Sequence, residues 1–200
     1  MGSRTRYKES PSQTAGPYVH IGCTPNFVDV QDVYSADLGV GPHADFDGNL
    51  QGADMSGERI TITGQIYDGA GGLVTDAMVE TWQTDAQGQY PAADAAFSGW
   101  ARQACDLTTG VFTFQTIKPG CIATSTDRQS PHVSIWIVAR GINLGLHTRI
   151  YFADEDNSAD PVLALIEPAR RQTLIASQQG GAYVFNVRLQ GENETVFFDL

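Results

Sequence analysis

From residue 59 onward the chain alternates. Ile60, Ile62 and Ile66 share one parity, and Thr61, Thr63 and Gln65 share the other. Successive side chains of an extended strand point to opposite faces, so this pattern predicts a strand with one face in a core. The same reading places further strands at residues 78–82, 111–116, 132–138, 148–152, 183–189 and 195–198, with turn signals such as Asp68-Gly69 and residues 106–110 between them. Roughly seven short strands punctuated by turns predict an antiparallel β-sandwich. The clearest helix signal is residues 168–177, which open on Pro168. The expected class is therefore all-β: an antiparallel β-sandwich with one or two short helices.

Residues 1–58 read differently. They are rich in Gly, Pro, Asp and Ser and carry no long helical period. So long an aperiodic lead predicts an irregular N-terminal arm that wraps a partner, followed by a sandwich domain at residues 59–200.

Composition narrows the function classes. A hydrophobic fraction of 42% in 200 residues supports a sizeable folded core. A net charge of -11 argues against nucleic acid, because there is no basic surplus to neutralise phosphates. The same acidity repels a small anion at long range, so an anion site here needs a local cation such as an Arg. The first residues show no apolar signal segment, and no apolar run approaches spanning length, which predicts a cytoplasmic chain away from membranes. Cys23, Cys105 and Cys121 are odd in number and lack CxxC spacing, which predicts free thiols.

The chemistry-bearing motif is incomplete. On the strand beginning at His132, a second histidine two residues on would deliver two imidazoles to one metal, since positions i and i+2 share a face. That position holds Ser134, a poor ligand. Arg140 has the same parity and lies roughly 20 Å beyond Ser134 if the strand continues. It suits a carboxylate at the strand's far end, or equally a salt bridge there. His147 reads as ordering a turn, and residues 154–156 as a solvated acidic loop.

Several ordered segments carry a resemblance across nearly the whole chain. They are residues 11–14 with 16–22, Trp82-Gln83-Thr84-Asp85 with Gly88 and Tyr90, residues 116–120, 139–143 and 146–149, and residues 190–199. Together they resemble the intradiol ring-cleavage dioxygenases. In iron-bearing members two tyrosinates and two histidines hold ferric iron. The resemblance puts these donors at Tyr90, Ile122, His132 and Ser134, of which only Tyr90 and His132 keep a ligating side chain. A hard ferric ion favours phenolate and imidazole donors. The set therefore reads as a degenerate former metal site in a chain that holds no metal, with Tyr90 and His132 left sharing a buried hydroxyl–imidazole hydrogen bond.

The resemblance further implies the alpha chain of a two-chain enzyme. Its Fe(III) would be bound by a beta chain, and its active site would lie at their interface. Thr14, Gly16, Pro17 and Tyr18 on the arm, together with Arg140, are then expected beside the substrate. The implied reaction joins O2 to protocatechuate and opens the ring between its two hydroxylated carbons, giving 3-carboxy-cis,cis-muconate in the β-ketoadipate route of aromatic catabolism. Higher-order assembly of alpha–beta pairs is expected. Two alternatives remain at this point: a self-sufficient iron dioxygenase with substituted ligands, and a non-catalytic β-sandwich binding module.

Overall fold

The computed structural model describes residues 15–16, 23, 50, 55–91, 97–123 and 125–199. Within them the chain forms β1 (Arg59–Tyr67), β2 (Met78–Gln83), β3 (Trp100–Ala104), β4 (Val111–Ile117), β5 (Ile122–Ala123), β6 (Arg128–Gln129), β7 (His132–Val138) and β8 (Leu146–Phe152). Helices α1 (Pro161–Ala164) and α2 (Pro168–Arg171) and a 3-10 turn (Gln172–Leu174) follow. The final strands are β9 (Ile175–Gln179), β10 (Ala182–Val184) and β11 (Val187–Arg188).

The sheet runs β11-β1-β10-β9-β8-β7-β2-β3, with β4 also paired to β1, and it folds over a shared core. Ile60, Ile62 and Ile66 meet Phe112 and Phe114 of β4 there, together with Val133, Ile135, Ile137, Ile150 and Phe152 of β7 and β8. Burying side chains of this size contributes roughly 1.5–3 kcal/mol each, which makes this cluster the main support of the fold. Gly64 occupies the third of the four inward positions of β1, where a Cβ would run into the carbonyl oxygen of Phe185. Only glycine lets the two backbones approach so closely there.

The all-β class is as expected, with refinements. β1 pairs parallel with β10 and β11, and β8 pairs parallel with β9, so the sheet is mixed. The expected strand at 183–189 is broken at Phe185-Asn186, where the Asn186 side chain accepts from the Gln65 backbone N–H at 3.1 Å. Residues 195–198 contribute only one isolated bridge, His147 to Phe198.

The expected helix 168–177 ends at Arg171. β-Branched Ile175 begins β9, and pairing with β8 and β10 outweighs the local helical pattern. β3 was not anticipated, because Ala101, Arg102, Gln103 and Ala104 carry little strand propensity. It forms by pairing with β2 throughout its length. His147 stands within β8 and not in a turn, opposite Trp136. All three cysteines are free, and burial with nearby Asp76 and Asp106 pushes the Cys105 thiol up to about 12. No helix among the described residues is long and apolar enough to cross a membrane.

Candidate functional site

β7 places its residues by alternation. Val133, Ile135 and Ile137 enter the core, while Ser134, Trp136 and Val138 are half-buried on the outer face. Register then sets the neighbours on that face. Ser134 lies opposite Trp82 on β2 and opposite Arg149 on β8, and Trp82 lies opposite Trp100 on β3. The next row is Arg102, Glu80, Trp136 and His147, with Arg102 and Glu80 joined as an ion pair.

His132 ends the outer row and is 4% exposed. Its Nδ1 lies 2.8 Å from the Ser130 carbonyl oxygen. A carbonyl can only accept, so Nδ1 carries the proton and Nε2 keeps its lone pair. The ring packs against Tyr151 with centroids 5.5 Å apart. Burial, and then the Arg149 guanidinium, push the His132 imidazolium down to about 4. Burial likewise pushes the Tyr151 hydroxyl up to about 12.

A hydrogen-bonded chain ties this corner together. The Tyr151 hydroxyl donates to Asp160 Oδ1 at 3.2 Å, and the Ser130 N–H donates to Asp160 Oδ2 at 2.8 Å. Asp160 also caps α1, accepting from the Val162 and Leu163 N–H groups at 2.9 Å each. Arg149 Nη1 donates to Gln129 Oε1 at 2.9 Å and reaches the Tyr151 hydroxyl at 3.4 Å. The Arg149 guanidinium lies 5.9 Å from the centre of the Phe198 ring.

The donors expected of a metal site are not assembled. Tyr90 is 61% exposed, so the buried Tyr90–His132 hydrogen bond is a mistaken expectation; His132 bonds to Ser130 instead. The reason is that residues 84–90 turn outward under their own hydrogen bonds. Asp85 accepts from the Gln87 and Gln89 N–H groups at 2.9 Å each, so the loop needs no contact with His132. Ile122 is half-buried on β5 and pairs with Gln129, and Ser134 is half-buried beside Arg149. Among the described residues no three His, Cys, Asp or Glu side chains group to hold a metal ion. A hydrocarbon, a hydroxyl and a fixed guanidinium do not fit ferric iron.

Arg140 follows β7 at the opposite end of the strand. It is 66% exposed at its side chain and paired with Asp76. The pair lies on a groove of about 800 Å³, whose apolar lining includes Leu73, Leu144 and Leu189. Thr14, Pro17 and Tyr18 lie outside the described residues. Gly16 is described, and among the described residues no atom beyond its chain neighbours stands within 4 Å of the place a Cβ would take.

Arg149, Tyr151, Asp160 and Gln129 were missed from sequence. Arg149 was the accessible one, since it has outward parity on a strand adjacent to His132 and Ser134. The acidic loop was partly misread: Lys118 bonds both Asp154 and Glu155 at 2.7 Å, so it is an anchored loop.

Comparison with known proteins bears directly on this arrangement. A family model described as "Dioxygenase" matches residues 33–191. The chain is 44% identical over 96% of its length to the protocatechuate 3,4-dioxygenase alpha chain of Pseudomonas putida, covering 96% of that protein. The chain belongs to the intradiol dioxygenase family. It is also 29% identical over 82% of its length to a protocatechuate 3,4-dioxygenase beta chain of Burkholderia cepacia, covering 78% of it. In fold it is similar to the dioxygenase domain of a carbohydrate-binding fusion protein from Streptomyces sp. SirexAA-E. The TM-score is 0.57 and the identity 24%, over 74% of this chain and 88% of that one. As an intradiol dioxygenase chain, it keeps the sandwich, and two of the four positions where the resemblance led donors to be expected hold Ile122 and Ser134.

Proposed function

We propose that this chain is the iron-free alpha subunit of a protocatechuate 3,4-dioxygenase, acting in the cytoplasm with a beta chain in an assembly of alpha–beta pairs. The observation that carries the reading is the scattered donor set: exposed Tyr90, apolar Ile122, and Ser134 facing Arg149. The similarity to alpha chains over nearly the full length supports the same reading. It weighs against a self-sufficient iron enzyme with substituted ligands, and no three His, Cys, Asp or Glu side chains group as substitute donors among the described residues.

The role of the chain is to complete a pocket. Ferric iron on the beta chain supplies the chemistry that joins dioxygen to the catechol, and both oxygen atoms enter the opened ring. Arg140 brings a cation to a chain whose net charge is -11, so it draws the substrate's carboxylate where the surface otherwise repels it. The groove beside it offers apolar walls to an aromatic ring. Thr14, Gly16, Pro17 and Tyr18 would close over the substrate as part of an arm formed by residues 1–58. Gly permits close approach there, and Pro reduces the entropy lost on docking.

The test is iron content and ring-cleavage activity of the purified chain, alone and co-expressed with a candidate beta chain. Iron and activity that appear only in the complex support the subunit role. Stoichiometric iron and activity in the isolated chain overturn it.

A further inference from the structure

The two missing donors do not by themselves account for the state of this site. We propose that Arg149 is a fixed, half-buried cation that bars metal from the chain's ligand positions, so restoring the donors alone does not restore a metal site. The inference concerns this chain's own residues and holds whether or not a beta chain is its partner.

Two relationships carry it. Arg149 is the register partner of Ser134 across the β7–β8 pairing. Residues directly opposite on antiparallel strands share a face with Cβ atoms about 4.5–5.5 Å apart. Any imidazole introduced at position 134 therefore has Arg149 as one of its two directly opposite cross-strand neighbours, Trp82 being the other. The same guanidinium is tied to the strand pair that carries the second lost position. Its Nη1 donates to Gln129 Oε1 at 2.9 Å, and Gln129 is the register partner of Ile122 across β5 and β6. One cation thus lies opposite Ser134 and is bonded to the cross-strand partner of Ile122.

It is also held there. Nη1 is engaged by Gln129 and by the Tyr151 hydroxyl at 3.4 Å. The Phe198 ring lies beside the guanidinium. Tyr151 is fully buried and fixed in turn by Asp160. An exposed arginine swings away from an incoming cation at little cost, whereas one bonded to a buried network does not. Guanidinium is charged at every accessible pH, and its repulsion of a trivalent ion is screened less at this half-buried position than in bulk water.

One ligand position keeps a metal-binding orientation. His132 donates Nδ1–H to a backbone carbonyl and leaves Nε2 as an acceptor, the arrangement that orients metal-ligating histidines. The added cation is thus an obstacle beyond the lost donors and the outward turn of Tyr90.

The test uses the full-length chain in three backgrounds. The first carries Ile122→Tyr and Ser134→His. The second adds Arg149→Gln, which removes the charge and keeps a hydrogen-bonding amide. The third adds Arg149→Lys in place of the glutamine. Each is loaded with ferrous iron in air and desalted. Iron per chain is then counted, and visible absorption from tyrosinate bound to ferric iron is recorded.

The glutamine background is expected to retain at least tenfold more iron than the first, with colour. The lysine background is expected to stay as empty as the first. Equal iron in the first and glutamine backgrounds, whether both full or both empty, overturns the proposal. So does equal iron in the lysine and glutamine backgrounds. Circular dichroism checks folding, and Arg149→Met replaces the glutamine substitution if that chain does not fold.

Discussion

A Cβ on Gly88 would run into the carbonyl oxygen of Cys121. Gly88 also has φ of 78°, in the left-handed region that favours glycine. The contact packs the loop after β2 onto the turn before β5, and the Gly120 N–H donates to the Asp85 carbonyl at 2.8 Å beside it. The two loops that carry Tyr90 and Ile122 are thereby held together. Gly88→Ala is expected to cost about 3 kcal/mol, from strain and collision together. Urea unfolding measures it, and a cost below about 1 kcal/mol would show that the loops are not packed this way.

Asp160 is 1% exposed and accepts from Ser130, Tyr151, Val162 and Leu163. Removing it leaves several buried donors without a partner. Asp160→Ala is expected to lose about 3 kcal/mol or more, and Asp160→Asn less, because the amide oxygen still caps α1. Thermal melts of the two variants should rank in that order. The reverse order would mean that the cap contributes little.

The buried imidazole of His132 makes stability depend on pH. Its folded value is about 4 against 6.5 for an ordinary histidine. Between those values the unfolded chain binds the proton and the folded chain does not, so acid favours unfolding. The contribution is complete above pH 6.5 and is lost as pH falls toward 4. The shift corresponds to a loss of about 2 kcal/mol between pH 7 and pH 5. Unfolding midpoints of the native chain and of His132→Gln are expected to converge at the lower pH. A constant gap between them would refute this account.

Arg140 should separate stability from activity. Its ion pair with Asp76 is exposed, and such pairs contribute under about 1 kcal/mol. Arg140→Ala should therefore leave the melting temperature of the chain nearly unchanged. In complex with its beta chain it should lower kcat/KM for protocatechuate at least tenfold, mainly through KM. For catechol, which lacks the carboxylate, the effect should be small. Equal losses on both substrates would remove Arg140 from carboxylate recognition.

The legible parts of the fold were those where local pattern and tertiary environment agree. β1, β4, β7 and β8 show alternation because one face of each meets the core and the other does not. β3 and β9 were not legible. Their Ala, Gln, Ser and Arg residues carry little strand propensity, and pairing overrides that local preference. The site divides the same way. That Ile122 and Ser134 are poor metal ligands can be read from residue type, but the guanidinium opposite Ser134 cannot, since it depends on which strand lies beside β7 and in what register.

The sequence by itself determined the all-β class, the family resemblance and the presence of poorly ligating residues at Ile122 and Ser134. Each of these is written in residue identity and in the period-two repeat, which are local properties. Only the tertiary structure decided that Tyr90 faces solvent, that His132 bonds to Ser130 and that Arg140 pairs with Asp76. It also placed Arg149 against Ser134. These outcomes depend on contacts between residues far apart in the chain, and strand order and register fix those contacts only when the whole sheet assembles.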